Sequence, residues 1–307
     1  MRWRKLGAVF KPDGTSDWAV SHAMVPTPVL LNESVLRVYL SFRDRHNVGR
    51  AGYVDIAAND PLKVLGVSAR PVLDIGLPGT FDENGVLPTC VIDVSAGTKY
   101  MYYVGFELGT KIRYRLLTGL AISRDGGETF QRVRRTPILE RSDAELYFRG
   151  GPFVLRDGDL FKMWYVAGSQ WTSIAGKEMP VYELKYLESA DGFEWGSAGK
   201  TCLDLRDSDE HGLGRPYVIR ENGLYKLFYS IRRRSLRAYR LGYAESADGI
   251  NWRRLDSELG LDISVAGWDS EAIMYSAVIT HGESTYMFYN GNNFGETGFG
   301  VAVLEQR

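Results

Sequence analysis

The sequence predicts an all-β protein built from five copies of one antiparallel unit. Three observations carry this. A Val-Leu or Val-Ile pair recurs at Val29-Leu30, Val91-Ile92, Val154-Leu155, Val218-Ile219 and Val278-Ile279, in steps of 62, 63, 64 and 60 residues. A tyrosine recurs at Tyr39, Tyr103, Tyr165, Tyr229 and Tyr289, and an aromatic residue precedes it in four copies (Tyr102, Trp164, Phe228, Phe288). A Ser-x-Asp-Gly turn signature opens the segments Ser123 to Phe130, Ser189 to Trp195 and Ser246 to Trp252. Two markers holding one period across five copies define a repeat protein. Short runs rich in Val, Ile, Tyr and Phe, bounded by Asn-Gly and Asp-Gly, are strands joined by hairpins. Repeats of this length with three or four strands each are propeller blades, which leave few open sheet edges. The expectation is a five-bladed β-propeller forming one domain over residues 1–307.

Each unit follows the same order. The first opens at Ser21-His22-Ala23, pairs Val25–Leu31 with Val35–Phe42, and continues through Arg43 and Asp44 to a third strand, Ala51–Ile56. The second is preceded by Gly79–Gly85 and carries a long connection from Leu108 to Tyr114. The third is preceded by Asp143–Arg149 and has the longest connection, an insertion from Ser169 to Pro180 containing Trp171. The fourth, preceded by Asp207–Arg215, is the clearest copy: Pro216–Ile219, the turn Glu221-Asn222-Gly223, Leu224–Ile231, then Leu241–Ala244. The fifth follows Gly267–Ala272 and ends on Phe299–Leu304 without an outer strand. A spare strand, Arg2–Phe10, precedes the first unit, so the N-terminal strand is expected to complete the last blade and lock the ring.

Bulk properties narrow the function. With 37 basic and 38 acidic residues and a net charge of −1, no basic surface for nucleic acid or membrane is expected. Cys90 and Cys202 lack metal-ligand spacing and read as buried thiols in a reducing compartment. Met1–Lys5 is not followed by a signal-like apolar region, and no apolar run reaches membrane-spanning length. A cytoplasmic location is expected. The four histidines show no ligand spacing, so neither metal nor cofactor is expected. The 18 tyrosines and 7 tryptophans exceed what a strand core needs, which suits a funnel for a small-molecule or oligosaccharide ligand.

In such a blade the start of the first strand and the end of the second lie on one rim. Residues at those places converge on one mouth of the central channel. They are His22, Arg43 and Asp44; Asp82, Glu83 and Glu107; Glu145, Arg149 and Trp171; Glu210, His211, Arg215 and Arg232; and Asp269, Glu271, Asn290, Asn292 and Asn293. Trp171 reads either as loop packing or as a sugar platform. Asp125, Asp191 and Asp248 belong to Asx-type turns. Arg233, Arg234 and Arg237 read as a solvated connection.

The five-fold repeat, the second strands Met101–Gly105 and Met163–Ala167, and the turns Ser189–Trp195 and Ser246–Trp252 make the chain resemble the five-bladed propeller enzymes of glycoside hydrolase families 43, 32 and 130. The resemblance spans nearly the whole chain and implies action on a glycosidic bond. Family 43 enzymes place an Asp base before blade 1, a pKa-tuning Asp before blade 2 and a Glu acid before blade 3. By position Asp82 matches the second and Glu145 the third. Ser21-His22-Ala23 occupies the place of the base, leaving Asp44, Asp269 or Glu271 to take that role. The arginines Arg43, Arg149, Arg215 and Arg232 suit a phosphate or carboxylate, as in family 130 phosphorylases and related transferases. With them His22, Trp171, Asn290 and Asn292 are the expected substrate-binding set. A non-catalytic glycan-binding propeller is the third reading.

Overall fold

The computed structural model describes residues 1–236 and 238–305. Arg237, expected in the solvated connection of the fourth unit, lies outside the described residues. Nearly all regular structure is strand. β1 is Trp3–Phe10; β2 Ser21–Asn32, β3 Val35–Arg43, β4 Gly49–Ala57 and β5 Asp60–Val67 form the first antiparallel sheet. β6 Val86–Ser95, β7 Thr98–Leu108, β8 Tyr114–Ser123 and β9 Gln131–Arg132 follow. Next come β10 Arg149–Asp157, β11 Leu160–Ile174, β12 Lys177–Ser189 and β13 Lys200–Leu203. Then come β14 Glu210–Glu221, β15 Leu224–Arg233, β16 Tyr239–Ser246 and β17 Arg253–Arg254. β18 Met274–His281, β19 Ser284–Asn290 and β20 Phe299–Leu304 complete the chain.

Antiparallel pairing divides these strands into five groups. Single parallel contacts, Arg149 beside Leu117 and Tyr182 beside Gly212, join the three middle groups. β1 runs antiparallel to β20, with Trp3 opposite Leu304 and Phe10 opposite Phe299, the pairing expected of the N-terminal strand.

The aromatic markers of the repeat are buried. Tyr39, Tyr103, Tyr165, Tyr229 and Tyr289 are all fully buried, as are Trp164, Phe228 and Phe288. Tyr39, Tyr102 and Trp164 each donate to the carbonyl of a turn glycine in the following group: Gly127 at 2.9 Å, Gly192 at 3.1 Å and Gly249 at 2.7 Å. The Ser-x-Asp-Gly turns are therefore docking points as well as turns. Within them Asp125, Asp191 and Asp248 accept backbone N–H groups two to four residues on, as expected of Asx turns.

The Ser169–Pro180 segment differs from its expected form. It is no loop but an extension of β11 and β12 into a two-stranded ribbon, with Trp171 opposite Pro180 and the turn at Ala175-Gly176. Cross-strand pairing continues along the ribbon from Gln170 opposite Val181 to Ile174 opposite Lys177, so the insertion keeps its order.

Candidate functional site

Three of the five expected catalytic carboxylates, Asp82, Glu145 and Asp269, share one repeated role with Asp256, which was not expected. Tyr103 donates to Asp82 (3.0 Å), Tyr165 to Glu145 (2.7 Å), Tyr229 to Asp256, and Tyr289 to Asp269 (3.0 Å). Each acid also meets a cation. Arg132 of β9 meets Asp82 at 2.7 Å, Arg254 of β17 meets Asp256 at 2.9 Å, and Lys5 of β1 meets Asp269 at 2.6 Å. In these groups the residue opposite the tyrosine is Gly119, Gly242 or Gly300. A Cβ on Gly119 would stand 2.2 Å from the Tyr103 ring, so glycine is what lets the ring lie there. In the third group Lys185 stands opposite Tyr165 and itself reaches Glu145 at 3.2 Å.

Asp82, Glu145 and Asp269 are at most 2% exposed. Glu145 is further occupied by the Gly199 N–H at 2.8 Å and by the Arg149 Nε, in an ion-pair contact too bent for a hydrogen bond. It sits at the edge of a cavity of about 290 Å³ that also contacts Asp143, Tyr147, Glu183 and Lys185. Asp44 accepts from the His46 and Val48 N–H groups and pairs with Arg50. Burial opposes its ionisation, and those donors outweigh burial and hold its carboxyl below the usual range. Glu271 is exposed, with no side-chain partner among the described residues.

The expected binding residues also separate. Arg149 does not face an open anion site: besides Glu145, it donates to the Glu140 and Gly196 carbonyls, both at 2.8 Å. Asn290 is a tie between the last and first groups, accepting from Val25 N–H at 2.7 Å and donating to Ala23 and Gly298 carbonyls. Asn292 accepts the Glu271 and Ala272 N–H groups. Arg215 is buried, donating to the Pro26 carbonyl and Thr27 hydroxyl, with the Tyr217 ring 5.0 Å away. Its Nε and Nη1 have no partner, and burial lowers it to about 10. Thr27, Cys90, Phe153 and Tyr217 line a cavity of about 310 Å³ beside it.

His22, Arg43, Arg232 and Trp171 are linked stepwise through shared neighbours, a region we call the mouth. Arg43 is in electrostatic reach of Tyr275 and Glu296, and His22 of Arg43 and Glu296. Arg232 is in reach of Tyr239, Tyr182, Tyr275 and Tyr114. Tyr114 meets the Trp171 ring edge-on at 5.7 Å, and the Tyr182 and Tyr239 hydroxyls are 2.7 Å apart. The Trp171 indole N–H is buried without a partner. Burial, then Arg43, lowers His22 to about 4, so the imidazole is neutral at neutral pH. His22, Tyr275 and Phe294 hold left-handed backbone, with φ of 57°, 58° and 58°. Such conformations are costly for side-chain-bearing residues and cluster at functional sites.

Tyr114, Tyr182, Tyr239, Tyr275, Phe294 and Glu296 were not among the expected site residues. Tyr114 and Tyr239 are the first residues of third strands, which begin where second strands end. Adding those starts to the rim would have found both. Among the described residues no group of His, Cys, Asp and Glu is arranged to hold a metal, and no helix is long and apolar enough to cross a membrane.

No family model matches the chain. Two Mycobacterium tuberculosis proteins, uncharacterized protein Rv1502 of strain H37Rv and uncharacterized protein MT1551 of strain CDC 1551, are each 34% identical over 307 residues, 99% of this chain and 100% of theirs. Among solved structures, a glycosyl hydrolase from Bacteroides ovatus is 14% identical with a TM-score of 0.75, covering 99% of this chain and 93% of its own length. A protein of the GH130 family of mannoside phosphorylases, which contains glycoside hydrolases that target β-1,2 mannosidic linkages in Candida mannan, is 13% identical with a TM-score of 0.74, covering 99% and 93%. A thermostable family-43 glycoside hydrolase is 16% identical with a TM-score of 0.69, covering 94% and 90%. The chain therefore has the fold of the propeller glycoside hydrolases.

Proposed function

Because the chain belongs to the family of the mycobacterial protein Rv1502 and has the fold of the propeller glycoside hydrolases, we propose that it is a five-bladed propeller acting on a glycosidic bond at the mouth of its channel. The ring is supported by the first strands, which neighbour one another in a cycle: β2 and β6, β6 and β10, β10 and β14, β14 and β18, β18 and β2. The observation that carries the functional reading is the mouth, where Trp171, Tyr114, Tyr239 and Tyr275 converge around Arg43 and Arg232. Aromatic faces with a few convergent polar groups suit a sugar ring, which is apolar on its faces and polar at its edge.

Hydrolysis of a glycoside takes two carboxyl groups with open access to the bond. Glu145, Asp82, Asp269 and Asp44 are each buried and cation-paired. We assign them to holding the rim. Proton transfer then falls to groups at the rim that are not ion-paired among the described residues: His22, Glu271 and Glu296. Incubation with an oligosaccharide panel, with and without inorganic phosphate, tests this by chromatography of the products. Free sugar assigns hydrolysis and sugar phosphate assigns phosphorolysis; cleavage of no member, by any acceptor, contradicts the enzymatic reading. The locked carboxylates specifically favour one second reading, a glycan-binding propeller without turnover, which predicts saccharide binding with no product.

A further inference from the structure

Arg232, next to last in β15, stands among aromatic rings and has no ion-pair partner among the described residues. Its guanidinium lies 4.9 Å from the Tyr239 ring centre and 5.8 Å from that of Phe294. Among the described residues it makes no ion pair and no side-chain hydrogen bond. Among the described residues the nearby arginines are engaged: Arg233 meets Glu210, Arg234 donates to the Ser208 carbonyl, and Arg240 meets Asp262. The groups around it are the phenols of Tyr239, Tyr182, Tyr275 and Tyr114, drawn from four different strands. Burial works against the Arg232 charge, and no carboxylate is among the groups that favour it. Burial also raises Tyr114, Tyr182 and Tyr275, so at neutral pH they are uncharged O–H donors. Arg43, on the far side of Tyr275, has Asn47 as its one side-chain partner and no ion pair.

A guanidinium without a carboxylate partner, ringed by uncharged phenols that can donate hydrogen bonds, is complemented by an oxyanion. We propose that the Arg232 cage is a subsite for an anionic group carried by the saccharide, either the carboxylate of an acidic sugar or the phosphoryl group of a sugar phosphate. This rests on the reading of the mouth as a saccharide site and adds the substrate class. Arg232 is then the residue that selects charged over neutral sugars.

Calorimetric titration of the full-length protein tests the subsite with glucuronate, glucose 6-phosphate, glucose, acetate and inorganic phosphate. The expected result is binding of a charged sugar at least about tenfold tighter than glucose, a difference of about 1.4 kcal/mol. Arg232→Gln removes that preference at an unchanged melting temperature, and Arg232→Lys restores part of it. The tighter of the two charged sugars identifies the group. Equal affinity for charged and neutral sugars overturns the subsite and leaves the saccharide reading standing. Binding of bare phosphate or acetate that is lost in Arg232→Gln, with no sugar bound, keeps the anion cage and rejects the saccharide reading. If no anion binds, free or attached to a sugar, the cage is not an anion site.

Discussion

Glu145 shows why residue type and position alone do not assign a role. It stands where the hydrolase resemblance places an acid, yet its oxygens meet Tyr165, Lys185, Arg149 and the Gly199 N–H. Removing its charge leaves two cations facing a neutral amide. Breaking a buried pair costs about 3–5 kcal/mol, so Glu145→Gln lowers the melting temperature markedly. A purely catalytic Glu145 predicts unchanged melting with lost turnover, and thermal denaturation separates the two. The repeat tyrosines were legible in the sequence, but their carboxylate partners were not legible as anchors. The deciding cations, Arg132, Lys185 and Lys5, come from strands far along the chain, and pairing alone brings them in. His22 gives a pH prediction. It titrates at about 4 in the folded protein against an ordinary 6.5. Below 6.5 the unfolded chain binds a proton that the folded chain refuses, so stability falls as pH drops from 6.5 to about 4 and then levels. In His22→Gln that limb of the melting-temperature profile is shallower; an identical limb rules out a depressed imidazole.

At the scale of the element, the β11–β12 ribbon joins fold to site. The sequence marks an insertion of the right length but carries no alternation strong enough to show that it stays paired. Its pairing, Trp171 against Pro180 and Thr172 against Met179, holds the indole beside Tyr114. A rigid ribbon presents an aromatic face with little entropy left to lose on binding. Trp171→Ala is expected to weaken saccharide binding about tenfold and also to lower the melting temperature somewhat, since the indole packs against the core. Calorimetry on the variant checks this, and unaltered affinity removes Trp171 from the site.

For the whole molecule, the repeat period foretold the strand groups, because each tyrosine marker is a core residue whose burial fixes the register. What the period does not encode is the mouth, built where the copies differ: His22 in one, Trp171 in another, Arg232 and Phe294 in others. β1 supplies the edge of the last group, and Asn290 ties that group to β2. Lys5 of β1 also neutralises Asp269. Deleting residues 1–10 therefore exposes a sheet edge and leaves a buried acid without its cation, and a sharp fall in melting temperature is expected. Unchanged melting means that the N-terminal strand does not close the ring. The central claim is that saccharide binds at this mouth, and a crystal structure of the protein soaked with an oligosaccharide that it binds in solution tests it most directly. Sugar rings against Trp171 and Tyr239 with an anionic substituent at Arg232 are the expected result. Sugar in the opposite cavity beside Cys90 and Tyr217, or on the outer face of the sheets with the mouth empty, contradicts it.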